Sequence, residues 1–574
     1  MTHMSPFHSD GPDAGHKGTT RRCPLPQRSW GRLFGLLLAA GWVWGLQGGQ
    51  AAVPPGDSSA IAEKYWIFLE DRPATPASSA EARWTRAVAP SYVNRLRRAG
   101  VDPLVRSRWF HALSARLSEA TRDTVADLPF VKDTRPVVAL TPAATSAVET
   151  KVPSSSTTRA ESSSPGLAPS TLGAARDPLS RINALAPLER GLNGHGVRVG
   201  FLDVHFNGLR HPAFSTLRAD ERLAALRSFT DGAQGGNHGL GVASVTAGYD
   251  PGSLVGPAYR ATVLGATTEY TQFERNVEED NFVAGLEWLH RQGADVVNVS
   301  IGYTTFDEGQ RSYSPADLDG NTALTTRAVD RAAQLGVTVV VSAGNSGCDD
   351  PDACWFYVNT PADADSAIAV GAIAPDSSLA PFSAHGPTAD GRRKPDVLVQ
   401  GQQIPAAWDD GQYAQVGGTS FASPQVTGIV AQMLQVNPSL GPIEVRRMLR
   451  ETASQSHAPD TTRGWGIVDA DRAVRAAEWQ ARRSPPSDLQ VSAPYRSVAD
   501  SALVVPVSAP PHTSTLQAAL HTPLGHRVRH IERAGHPGPN RLALDVSALP
   551  PGRYRYAIDT DTGHHAAGVV TIFD

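Results

Sequence analysis

The chain has 574 residues, 41% hydrophobic and 19% charged, with a formal net charge of −4. At roughly 150 residues per domain, the length implies about three or four domains, and the near-neutral charge excludes a nucleic-acid binder driven by bulk positive charge. Only 3 Cys in so long a chain exclude a disulfide-built scaffold or a paired-CxxC zinc module, and no apolar run is long enough for a membrane span.

The first apolar run, Leu33 to Leu46, follows Arg21, Arg22, Arg28 and Arg32 and precedes Gly48, Gly49, Ala51 and Ala52. A basic start, a short apolar middle and a small-residue exit predict a secretory signal peptide over 1–52, cut near Ala51 or Ala52. A buried helix or retained anchor is the alternative. Export would leave Cys348 and Cys354 as a pair across an acidic loop, and an oxidising compartment predicts a local disulfide between them.

Residues 57–140 read as a small α+β domain. Tyr65–Leu69 is a strand run, Tyr92–Arg98 has helical spacing, and Val105–Leu117 alternates as a hairpin does. Ser118 followed by Glu119 opens a helix that ends before Leu128-Pro129, and Val131–Val137 is a last strand. Residues 141–177 turn to Ser, Thr, Ala and Pro, a linker open to cleavage.

Across residues 178–480 apolar strands (Val197–Asp203, Val263–Thr268, Asp295–Ser300, Val337–Ala343) alternate with helices (Asn281–Gln292, Thr322–Leu335). That alternation predicts an α/β fold with a doubly wound parallel sheet, its functional groups at strand C-termini. A Pro-rich linker over 481–488 leads to residues 489–574. There, short strands separated by Pro-Gly and Thr-Gly turns predict a β-sandwich.

Chemistry concentrates in three segments. Gly417-Gly418-Thr419-Ser420 opens an apolar helix, so Ser420 sits at the positive end of a helix dipole. Taken alone, such a serine is an N-cap. Asp203, however, ends an apolar strand, and His238 stands in Gly236-Asn237-His238-Gly239 before another helical run. A serine hydroxyl needs a base, and a histidine base needs a carboxylate to fix its tautomer. The order Asp, His, Ser is one of the convergent orders of this triad.

These segments, with Val341-Ser342-Ala343-Gly344-Asn345 and Gly418-Thr419-Ser420-Phe421-Ala422-Ser423-Pro424, resemble the subtilases, the subtilisin-like serine peptidases of family S8. The likeness covers Leu188 to Ala477. It implies Ser420 as nucleophile, His238 as general acid/base, Asp203 as its orienter and Asn345 as the oxyanion-hole side chain. Ser300-Ile301-Gly302 resembles the strand that pairs with extended substrate. By the same likeness, residues 57–140 resemble a propeptide that blocks the cleft until the linker is cut. The catalytic region and the 489–574 ending resemble exported Bacteroidota-type members with a sorting domain, although a generic β-module fits the ending as well.

Two departures touch the dyad: Val204-His205 follows Asp203, and Leu240 stands where a Thr is usual. They put the hydrogen bonds behind His238 in question and keep open a catalytically silent subtilase used for binding. His205 reads as a bystander. A third reading gives the main role to the C-terminal module as an adhesin. No cofactor is required by this chemistry. Calcium is the one ion to consider, at the acidic loops Asp349, Asp350, Asp352 and Asp317, Asp319, where solvated surface charge is the plainer reading. The expected partners are protein or peptide substrates, the chain's own propeptide and an outer-membrane secretion machinery, but no nucleic acid. The sequence leaves cleavage preference unread.

Overall fold

The computed structural model describes residues 63–70, 84–137, 169–206, 208–231, 235–347, 356–483, 487–491, 494–497, 502–523 and 525–572. All belong to one compact unit that runs from Ala60 onward. The signal-peptide segment and the Cys348 and Cys354 pairing lie outside the described residues.

The N-terminal domain is a four-stranded antiparallel sheet in the order 103–107, 112–117, 63–69, 131–137. Its helices, Pro90–Arg98 and Glu119–Ala126, bury Val93, Leu96 and Val125. Ser118 caps the second helix by accepting Thr121 N–H at 3.2 Å, satisfying one of the free first-turn amides.

The described chain continues from Pro169, inside the stretch read as linker. Leu172 and Ala175 are already in the core of the next domain, and Gly252 N–H donates to Thr171 O at 2.8 Å. That domain carries a seven-stranded parallel sheet in the order 397–400, 368–373, 338–342, 296–299, 198–203, 262–267, 223–228. Six of the seven strands are buried along all or nearly all their length, because helices cover both faces; the edge strand 223–228 is the exception. On one face the helices His238–Ala247 and Thr419–Val436 pack through Val242, Phe421, Val426 and Ile429. On the other face lie Val277–Arg291 and Leu324–Gln334, which pack through Phe282, Leu286, Val329 and Ala332.

The chain order reverses at strand 198–203. The strand leads first toward the 223–228 edge, and later strands then add on its other side. Such a switch point opens a crevice beyond the strand C-termini. Asp203, Ser300 and Gly344-Asn345 all stand at these C-terminal ends.

The C-terminal domain consists of two four-stranded antiparallel sheets, as the short strands separated by Pro-Gly and Thr-Gly turns predicted. Leu503, Val505, Leu516, Leu520, Leu544 and Ile558 fill the space between them. The strands 515–521 and 527–534 were not evident in the sequence; the second has a largely exposed, Arg-rich pattern.

Candidate active site

Asp203 is fully buried at the end of its strand. Its Oδ1 accepts Val204 N–H at 2.8 Å and His238 Nδ1–H at 2.7 Å. His238 begins the 238–247 helix and rests on the Phe421 ring, 5.4 Å between centroids. The residue after it must be small. A Cβ on Gly239 would lie 2.3 Å from His205 O, so glycine lets the histidine helix meet the aspartate strand. Burial works against a charged imidazole, but the Asp203 charge and hydrogen bond outweigh it, so the His238 pKa is raised above its ordinary value.

Ser420 stands in the first turn of the 419–436 helix. Gly418, at φ +133°, supplies a backbone turn that L side chains rarely adopt. Ser420 Oγ donates to Ser300 O at 3.1 Å rather than to His238. Catalytic contacts of this kind often tighten only with substrate bound. Ser300 itself turns inward. Its Oγ donates to Ser420 O at 2.7 Å and receives Asn298 Nδ2–H at 2.8 Å, which ties the 296–299 strand end to the serine helix.

Asn345 is exposed at the crevice. Its Oδ1 accepts Thr419 N–H at 2.8 Å and Thr419 Oγ1–H at 2.9 Å, which fixes the carboxamide and leaves its N–H end for a ligand. Thr419 was not singled out from the sequence, although it lies inside the quoted Gly-Thr-Ser motif. Ile301 and Gly302 continue from Ser300 along the crevice, half-buried.

Of the departures, Val204 contributes a backbone N–H to the carboxylate, as any residue but proline could. Leu240 is buried in the main core, 1% exposed, and packs toward Gly208. His205 is buried, with Gly236 beside its ring.

The loop carboxylates considered for calcium are engaged locally where described. Asp317 accepts Ser314 N–H at 2.8 Å, and Asp319 accepts Asn321 N–H at 2.8 Å and Thr322 N–H at 2.7 Å. Asp349, Asp350 and Asp352 lie outside the described residues. Carboxylates gather instead at Glu269, Glu274 and Glu278, whose ligand oxygens lie within 4.8 Å of one another. This hard-oxygen set is of the kind that suits calcium. Burial pushes their acids up, Glu269 to about 7, Glu274 to about 8 and Glu278 to about 10. This cluster was not singled out from the sequence, because Glu269 and Glu274 lie before the helix that carries Glu278 and meet it only in the fold.

The family follows from comparison with known proteins. The Subtilase family profile matches residues 194–466. Subtilisin Savinase of Lederbergia lenta is 31% identical over 307 residues, 52% of this chain and 97% of that protein. Subtilisin DY of Bacillus licheniformis is 30% identical over 296 residues, 50% of this chain and 93% of that protein. Among solved structures, the prenylagaramide maturation protease PagA aligns with a TM-score of 0.41 and 23% identity, over 51% of this chain and 98% of that one. The chain belongs to the subtilase family and is a serine endopeptidase.

Proposed function

We propose that this chain is an exported endopeptidase made as a self-processed zymogen, with Ser420 as nucleophile, His238 as general acid/base and Asp203 as its orienter. The observation that carries the reading is convergence: Asp203 and His238, 35 residues apart, are hydrogen-bonded, Ser300 and Ser420, 120 residues apart, are hydrogen-bonded, and the His238 ring rests on Phe421, the residue next to Ser420. His238 with Nδ1–H on Asp203 presents Nε2 as acceptor. It takes the Ser420 proton as Oγ attacks the scissile carbonyl, and then gives that proton to the leaving amine. Water, deprotonated by the same Nε2, cleaves the resulting ester and restores Ser420. Asn345 Nδ2–H and the Ser420 backbone N–H receive the oxyanion of each tetrahedral state. Ser300-Ile301-Gly302 pairs with extended substrate by strand addition.

The zymogen reading has its own support. Lys64 Nζ of the N-terminal domain lies 2.6 Å from Asp280 Oδ2, both side chains buried, and the Trp66 indole N–H donates to Asp280 as well. Glu287 accepts Arg108 N–H at 3.1 Å and Trp109 N–H at 3.3 Å, and also the Ser107 hydroxyl. Trp109 is buried among Phe282, Leu286 and Leu289. The N-terminal domain thus covers the 277–291 helix, and residues 138–168 follow it as the stretch to be cut. In this reading the signal peptide directs export, Cys348 and Cys354 pair outside the cell, and the C-terminal sandwich serves sorting or binding. Protein or peptide substrates and the chain's own propeptide are the partners.

The test is labelling of the secreted, processed protein with a fluorophosphonate probe, beside Ser420→Ala. Labelling of the wild type alone is expected. A folded, propeptide-free wild type that does not label would overturn the proposal.

A further inference from the structure

Asn359 occupies a place that the triad chemistry does not use. Its backbone N–H donates to Ala343 O at 2.9 Å, while its neighbour Thr360 exchanges hydrogen bonds with Tyr303, at 2.8 and 3.2 Å. The 359–360 segment therefore bridges the two strand extensions that carry Ser300-Ile301-Gly302 and Gly344-Asn345.

The side chain fills the gap between those extensions. A Cβ placed on Gly302 would lie 3.0 Å from Asn359 Cβ, and one on Gly344 would lie 2.8 Å from Asn359 Cγ and Oδ1. Glycine on both walls makes the room that the carboxamide takes, and the walls in turn hold it. The residue is half-buried, but its Oδ1 is enclosed with no hydrogen-bond partner among the described residues. A buried polar atom left unpaired is costly, and in a native protein it calls for a role.

We propose that Asn359 is the floor of the pocket for the substrate side chain on the acyl side of the scissile bond, and that it selects a neutral hydrogen-bonding side chain there, glutamine or asparagine first. This rests on the placement of the reacting carbonyl between Ser420 and Asn345. A peptide lying along Ser300–Gly302 with its carbonyl carbon at Ser420 Oγ directs that side chain between Gly302 and Gly344, down onto Asn359. The two-fold χ2 torsion of Asn359 can turn either end of its amide toward the pocket, so it can donate or accept. A substrate carboxamide matches both directions. A long apolar or aromatic side chain would meet a filled floor and leave the amide unpaired. A lysine or arginine would lose its water to a neutral partner. Sites that hydrogen-bond a substrate group reject analogues lacking it far more strongly than apolar pockets reject a missing methylene.

The experiment uses the processed enzyme and quenched peptides that differ only at the acyl-side residue: Gln, Asn, Leu, Phe and Lys. In the wild type, kcat/KM for Gln or Asn is expected to exceed that for Leu and Phe by at least about tenfold. Asn359→Gly is expected to collapse that ratio by about tenfold or more as Phe gains. Asn359→Asp, nearly isosteric, is expected to move the preference to Lys. Fluorophosphonate labelling of each variant reports a folded site. If Asn359→Gly fails to label, Asn359→Asp carries the test. A labelled wild type that favours Leu or Phe, or a preference unmoved in a labelled Asn359→Asp, overturns the inference while the proposed triad stands. A wild type that neither labels nor cleaves overturns both.

Discussion

Asp203 holds His238 through a single oxygen. Oδ1 carries both the His238 Nδ1–H and the Val204 N–H, at 2.7 and 2.8 Å, while the equally buried Oδ2 has no hydrogen-bond partner among the described residues. The orienting bond is therefore present despite the departures after Asp203 and His238, but one lone-pair set of the carboxylate goes unsupported. Asp203→Asn is expected to keep the fold and lower kcat by about 10⁴-fold, because the amide stabilises the wrong imidazole tautomer. Steady-state kinetics of the purified variant, with circular dichroism as the folding control, checks this.

The same pair sets the acid limb of the pH–rate profile. Catalysis needs neutral His238, and Asp203 favours the charged form more than burial opposes it. Activity should therefore fall, as pH is lowered, through a midpoint above the free-imidazole value of about 6.5. In Asp203→Asn the attraction is gone and burial remains, so the midpoint should move to lower pH. A limb that stays in place would show that Asp203 does not control this proton.

Asn345 offers a cleaner separation of binding from chemistry. Its carboxamide is locked by Thr419, so it meets the oxyanion without rearranging. Asn345→Ala is expected to lower kcat by about 10²–10³-fold with little change in KM, since charge develops on the carbonyl oxygen only in the transition state. Thr419→Val should give a smaller fall in kcat, because one of the two bonds that hold Asn345 comes from the backbone.

How much of this was legible in the sequence depended on whether the signal was local. Strand-ending Asp203 and helix-opening His238 and Ser420 could be read because apolar runs and glycines mark those boundaries. The 277–291 helix was read only from Asn281 onward, because its first turn is Glu278-Glu279-Asp280 and carries no apolar periodicity. They are buried all the same, at 0%, 7% and 1% exposed: Glu278 accepts the nearby Tyr270 and Arg275 N–H groups, while Glu279 meets Tyr313 and Asp280 meets Lys64 and Trp66 far away in the chain. The 223–228 strand lies at the sheet edge, half-exposed, and so lacks the continuous apolar run of its neighbours. Asn359 has no sequence mark at all: its place is defined by two glycines, 57 and 15 residues earlier, that converge only in the fold.

Buried carboxylates make a stability prediction of definite sign. Glu269, Glu274, Glu278 and Glu279 are raised to about 7, 8, 10 and 7, chiefly by burial. Each binds its proton more tightly folded than unfolded. The native state thus holds more protons above the ordinary range near 4.5, and stability must fall as pH rises from there through the folded values. In a metal chelator, the Tm of the Ser420→Ala protein should be highest near pH 5 and decline toward pH 9. Glu278→Gln should flatten the decline. A Tm that rises over this range would contradict the burial argument.

The last prediction concerns the joint between the N-terminal domain and the 277–291 helix. Lys64 and Asp280 are both removed from water, at 6% and 1% side-chain exposure. A buried pair is weak support for net stability, but removing one partner leaves an unpaired charge and costs about 3–5 kcal/mol. Lys64→Met should therefore loosen this joint more than its lost packing would. Asp280→Asn, which keeps an acceptor for Trp66 and removes the charge, should loosen it less when combined with Lys64→Met than Lys64→Met does alone. In the full-length Ser420→Ala chain, hydrogen exchange at the 63–69 strand is the measurement. Lys64→Met is expected to speed it by about 10²-fold or more if the strand opens by undocking. Unchanged exchange there would mean that Trp109 and the Glu287 bonds hold the domain without the ion pair.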